Sequence, residues 1–84
     1  MKLLLKKVFL SRLRNELCDA FEKKGFEPRE VGDNCGKDRQ SIERLLNDEE
    51  EYCPSIYYTY EVCEGNDIDF AELINRVIGK GKDA

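Results

Sequence analysis

The stretch Gly25 to Leu46, GFEPREVGDNCGKDRQSIERLL, constrains the fold of this chain more than any other. Its punctuation predicts two short helices at a tight turn. Pro28 suits the first position of a helix, where a missing N–H costs nothing. Val31 and Cys35 are four residues apart and share a face. Gly36 ends that helix, because glycine accepts the left-handed conformation of a C-terminus. Asp38 is an N-cap whose carboxylate can accept backbone N–H groups two and three residues on. The next helix, 39–46, turns Ile42, Leu45 and Leu46 inward. It leaves Arg39, Gln40, Ser41 and Arg44 largely on its outer face. Two such helices joined by a short glycine-containing turn make a helix-turn-helix unit.

The flanks supply three more helices. Phe9, Leu10, Leu13, Leu17 and Phe21 recur at three- and four-residue steps, which predicts a long amphipathic helix over 6–24 stopped by Gly25. Cys18 lies beside that stripe. Arg12, Arg14, Glu16, Asp19, Glu22 and Lys23 are assigned to the polar side. Leu3 to Leu5 either continue this helix or lie across another surface. Beyond Pro54, residues 55–64 read as a fourth helix with Ile56, Tyr60 or Thr59, Val62 and Cys63 inward, and with Tyr57 and Tyr58 partly exposed. The run IYYTYEV also has strong strand propensity, but helical spacing fits the rest of the chain. Gly65-Asn66-Asp67 marks a turn and Ile68 a buried plug. Asp69 and Glu72 form a capping-box pattern for a last helix, 69–78, with Phe70, Leu73, Ile74, Val77 and Ile78 as one apolar stripe. Gly79 closes it, and 80–84 read as a frayed tail. The expected product is one all-α domain, 1–84, in which short connections make five helices pack as neighbours.

Composition narrows the function. With 38% charged residues and no long apolar run, the chain is not expected to span a membrane. The apolar run after Met1-Lys2 stops at three residues, short of the seven or so of a signal peptide, so a cytoplasmic location is expected. The four cysteines have no CxxC spacing and there is no histidine, which argues against a zinc site. Cys18, Cys35 and Cys63 read as small core residues, and Cys53, beside Pro54, as exposed. There is no glycine-rich phosphate loop and no Ser or Cys with a plausible base. No catalytic residue, metal or cofactor is therefore expected.

The net charge of −4 is unevenly spread. Residues 1–25 carry seven Lys/Arg against three acids, while residues 48–69 carry eight acids and no Lys or Arg. Asp48 to Glu51 place four carboxylates directly after the second short helix. They read as a solvated loop.

Gly25-Phe26, Glu30-Val31-Gly32, Gly36, Ile42, Arg44, Leu45 and Pro54, followed by Ile56, Val62, Cys63, Ile68 and Asp69-Phe70-Ala71-Glu72-Leu73, resemble the lambda-repressor-like, or Xre (Cro/CI-type), family of helix-turn-helix domains. The resemblance covers about Phe9 to Ile78. It departs from the family at Lys37 and Asn66, where aliphatic residues are usual. It implies a compact five-helix DNA-binding fold in which 39–46 is the recognition helix. Arg39, Gln40, Ser41 and Arg44 would face the major groove of double-stranded DNA. Arg29, Lys37 and Asn47 would lie near the phosphate backbone. The implied activity is that of a small transcriptional regulator, a repressor working as a two-fold homodimer. An alternative is the same fold turned to a protein partner as an antitoxin, inhibitor or adaptor. Tyr52, Tyr57, Tyr58 and the acidic run 48–51 would then form the interface.

Overall fold

The structure, a computed structural model, describes residues 3–47 and 52–79. Those residues form five helices and no strand: α1 (Lys6–Lys24), α2 (Pro28–Cys35), α3 (Arg39–Leu46), α4 (Ile56–Gly65) and α5 (Phe70–Gly79). The first three coincide with the expected ranges. The last two begin one residue later, because Ser55 and Asp69 stand outside their helices as caps. The Ser55 hydroxyl accepts the Tyr58 N–H at 3.0 Å, and the Asp69 carboxylate accepts the Glu72 N–H at 3.1 Å. Glu72 pairs with Arg76 at 2.8 Å. The acidic run 48–51 and the tail 80–84 lie outside the described residues.

α2 packs against both α3 and α4, and α1 packs along α5. Leu13, Leu17, Phe21, Val31, Ile42, Leu45, Val62, Cys63, Ile68, Leu73 and Val77 form one continuous core. Every helix contributes to it, so none of the four helices of ten residues or fewer has to be stable alone.

Packing corrects the sequence reading at several positions. Glu16, assigned to the polar side of α1, is buried, because α5 covers that flank. It accepts Arg76 Nε at 2.8 Å. Nearby, the Arg12 guanidinium reaches the Val77 carbonyl at 3.5 Å. Ile56, expected inward, is exposed: it lies in the first turn of α4 and reaches past the buried layer. Between Thr59 and Tyr60 it is Thr59 that faces the core, its hydroxyl donating to the Ser55 carbonyl at 3.0 Å. Ile78 drops out of the α5 stripe and is exposed, while Leu73 and Val77 are fully enclosed. Of the three cysteines expected in the core, only Cys63 is buried. Cys18 and Cys35 are half-buried, and Cys53 is exposed. Burial pushes the Cys63 thiol up to about 12, so it stays neutral and acts as a small apolar residue.

Asn66 replaces an aliphatic contact with a polar one. Its buried amide donates to the Val31 carbonyl at 3.2 Å and the Val62 carbonyl at 2.8 Å, and accepts Asn34 Nδ2 at 2.9 Å. One side chain thus ties the middle of α2 to the last turn of α4. The Gly65-Asn66-Asp67 segment does turn the chain, but its left-handed residue is Asp67, with φ 57°. Gly65 serves a different purpose: a Cβ there would stand 2.6 Å from Cys35 Cβ and 2.8 Å from the Asn34 carbonyl. Asn66→Leu keeps a side chain of similar reach but removes all three hydrogen bonds. We expect it to cost about 2–3 kcal/mol in urea unfolding. Unchanged stability would mean that the amide bridge contributes nothing to the α2–α4 contact.

Candidate nucleic-acid interface

The candidate site is built on α2, the turn 36–38 and α3. At the start of α2, Pro28 occupies the first helical position and the Glu30 carboxylate accepts the Glu27 N–H at 3.3 Å. The helix closes at Gly36, whose φ of 73° is left-handed, with the Lys37 N–H bonded to the Gly32 carbonyl at 2.9 Å. This is the closing pattern that satisfies orphan carbonyls at a helix C-terminus. The turn folds back so closely that a Cβ on Gly32 would lie 2.4 Å from the Lys37 carbonyl oxygen. Asp38 then caps α3, accepting the Ser41 N–H at 2.7 Å.

Ile42 and Leu45 are buried and hold α3 against the core. Arg39, Gln40, Glu43 and Arg44 are exposed on the other side, Arg29 is exposed in the first turn of α2, and Asn47 is exposed as the C-cap of α3. Five of the seven expected contact residues, Arg29, Arg39, Gln40, Arg44 and Asn47, are therefore exposed on or beside α2, the turn and α3. The other two, Lys37 and Ser41, are half-buried, Ser41 having been expected on the outer face. Ser41 lies towards Tyr58 of α4, whose enclosed hydroxyl stands close to it without completing a hydrogen bond. Burial raises the Tyr58 phenol above its ordinary range.

Three of the cations on this unit contact other side chains of the same chain. Arg39 pairs with Glu43, one turn on, at 2.8 Å. The Arg44 guanidinium lies over the Tyr52 ring, 5.0 Å from its centroid. Lys37 is held most firmly. Its ammonium is 2.9 Å from Glu61 of α4 and 5.1 Å from the centre of the Tyr58 ring, and both charged side chains are partly covered. Hydrogen bonding to Glu61 raises the Lys37 pKa. Lys37 thus fastens the turn to α4.

Two of the three tyrosines expected at a protein interface, Tyr52 and Tyr58, are half-buried against the core. Tyr57 is exposed, and so is Tyr60, which the sequence reading had not assigned to a surface. The missed signal was spacing: Tyr57, Tyr60 and Glu64 follow three and four residues apart on one face, opposite Thr59, Val62 and Cys63. Among the described residues no group of three or more His, Cys, Asp or Glu is arranged to hold a metal, and no helix is long and apolar enough to cross a membrane. Comparison with protein families, curated proteins and solved structures finds no match to this chain.

Two measurements test this geometry. In Gly32→Ala the gain in helix propensity, about 1 kcal/mol, opposes a backbone clash that nothing flexible can relieve. The clash should prevail, lowering stability by about 2 kcal/mol in urea unfolding; a stabilised variant would contradict the close turn. Glu61→Gln should bring the Lys37 pKa back towards the ordinary lysine value, followed by NMR titration of the side chain. Because the folded pKa is raised, the pair's contribution is complete below the unfolded lysine pKa and is lost as pH rises through the folded one. Wild-type stability should accordingly fall more steeply than that of the variant in the alkaline range.

Proposed function

We propose that this domain binds double-stranded DNA, with α3 as the helix that enters the major groove. The observation that carries the reading is the division of α3 into two faces. Ile42 and Leu45 anchor it, while Arg39, Gln40 and Arg44 point away from the core and α2 braces it from behind. An α-helix fits the major groove, where Arg can bond guanine O6 and N7 in bidentate fashion and Gln can pair with adenine. Arg29 and Asn47 are suited to the flanking phosphates. Lys37 and Ser41 are left out of the contact set, because Glu61 and Tyr58 occupy the first and α4 half-covers the second.

The internal partners of the two arginines are compatible with this role. An exposed ion pair one turn apart, such as Arg39–Glu43, is worth about 0.3–0.5 kcal/mol, and an exposed cation–π contact about 0.5–1 kcal/mol. A bidentate base contact is worth about 1–3 kcal/mol of discrimination. Exchange of either internal contact for a guanine is therefore favourable. The architecture that goes with this reading is the lambda-repressor-like one, and the mechanism is repression by occupying an operator. A two-fold dimer would read half-sites about 34 Å apart. A second reading, a partner protein docked on the tyrosine-bearing face, draws on the exposure of Ile56, Tyr57 and Tyr60.

Selection of bound duplexes from a random pool, followed by titration over a range of salt, tests the proposal. Binding should weaken steeply as salt rises, because phosphate contacts release counterions. Arg39→Ala and Arg44→Ala should abolish specific binding with circular dichroism unchanged. A footprint that survives in both variants would remove α3 from the contact. No binding of any duplex at low salt would reject the DNA reading in favour of the second.

A further inference from the structure

Among the described residues, two groups of exposed apolar side chains stand apart from the single Ile78, and they carry opposite charge. The first is the N-terminal segment, where Leu3 is 91% exposed, Leu5 72% and Val8 37%. Lys6 and Lys7 lie among these residues, and positions 3–8 contain no acid. The second is the outward side of α4 where it meets the start of α5. Ile56 is 77% exposed, Tyr57 65% and Tyr60 43%. The Tyr57 and Tyr60 rings are 6.0 Å apart, and Tyr60 meets Phe70 edge-on at 5.9 Å, so the aromatics form a fixed platform. Residues 52–69 hold four acids and no Lys or Arg. One of those acids, Glu64, is exposed and shares a helix face with Tyr57 and Tyr60.

These surfaces do not cover each other within one chain. The contact of Arg12 with the Val77 carbonyl puts the N-terminal part of α1 beside the last turns of α5. The aromatic platform lies at Phe70, the opposite end of the same helix. Single exposed apolar residues are ordinary, but contiguous sets rimmed by charge mark contact sites, and aromatic residues are enriched at interface centres. Each surface supplies what the other lacks: leucines with lysines on one, aromatic rings with a carboxylate on the other.

We infer that the chain forms a two-fold dimer by reciprocal exchange, in which Leu3, Leu5 and Val8 of each copy cover Ile56, Tyr57 and Tyr60 of its partner, and Lys6 and Lys7 face Glu64. Two-fold symmetry makes the contact twice, so two small patches add up to one interface. The contact uses neither α2 nor α3: it gives the two-fold dimer of the proposed function an interface, and its test reads association alone, so it fails separately from the nucleic-acid reading.

Sedimentation equilibrium of the full chain tests the exchange. The wild type should associate to twice the chain mass. Leu5→Asp and Tyr57→Asp, both at exposed positions, should each weaken association by about tenfold or more, with helix content unchanged by circular dichroism. A mixture of the two variants should associate more tightly than either alone, because the heterodimer restores one intact contact. The charge-reversed chain Lys6→Glu/Lys7→Glu should also dissociate, and the wild type should weaken as salt rises. The inference is overturned if the wild type is monomeric up to its solubility limit, or if Leu5→Asp associates as the wild type does. It is equally overturned if the mixture binds no more tightly than its components. A monomeric wild type that floats with phosphatidylcholine–phosphatidylglycerol vesicles, and loses this in Leu5→Asp, would instead assign the N-terminal segment to a lipid surface.

Discussion

The domain depends on how closely the backbone of α2 is approached from two sides. On one side the turn into α3 folds back until Lys37 leaves no room for a side chain on Gly32. On the other, the last turn of α4 presses on Asn34 and Cys35 until Gly65 must also lack a Cβ. Between these two contacts Val31 is fully enclosed, and the Asn66 amide bonds its carbonyl. Eight residues are too few to hold a helix in water. α2 exists because α3 and α4 grip it, and α3 is aimed by that grip. A shift in either crossing would rotate Arg39, Gln40 and Arg44 relative to the rest of the surface.

Charge is used in two ways. Between α1 and α5, Glu16 and Arg76 form a partly buried pair that joins the first and last helices. Of the two, Glu16 is the enclosed one, and removing Arg76 would take away its 2.8 Å partner; Arg76 is half-exposed and also bonds Glu72. Around α3 the pairs are exposed and weak, apart from the lysine that fastens the turn to α4. Such contacts order the arginines without committing them, which is compatible with the proposed groove contact. Lys37 is different. Its contacts with Glu61 and Tyr58 make it part of the scaffold, so the exposed cations on α2 and α3 are Arg29, Arg39 and Arg44.

Helix content and order were legible in the sequence because their signals are local. The apolar period of residues 9–21, Pro28, Gly36, Asp38, Ser55 and Asp69 each act within one turn of themselves. Three of the five helices match their expected ranges residue for residue, and the other two are displaced by one residue at both ends, starting after a cap and ending on Gly65 and Gly79. The candidate reading face was legible for the same reason, since Ile42 and Leu45 fix which side of an eight-residue helix points out. The errors fall where a second element decides. Glu16 looked polar and outward until α5 lay over it. Ser41 looked exposed until Tyr58 leaned towards it. Ile56 fitted an apolar stripe but is 77% exposed.

The sequence by itself thus determined five helices and the central buried positions of each, because propensity, capping and periodicity depend only on residues a few positions apart. Only the tertiary structure decided the rest. It showed that Gly32 and Gly65 are spacers between helices, that Asn66 is a polar bridge, that Lys37 is a tether, and that Tyr57 and Tyr60 are surface where Tyr52 and Tyr58 are core. Each of those roles is set by atoms more than one helix away, and no local pattern records where those atoms will come to lie.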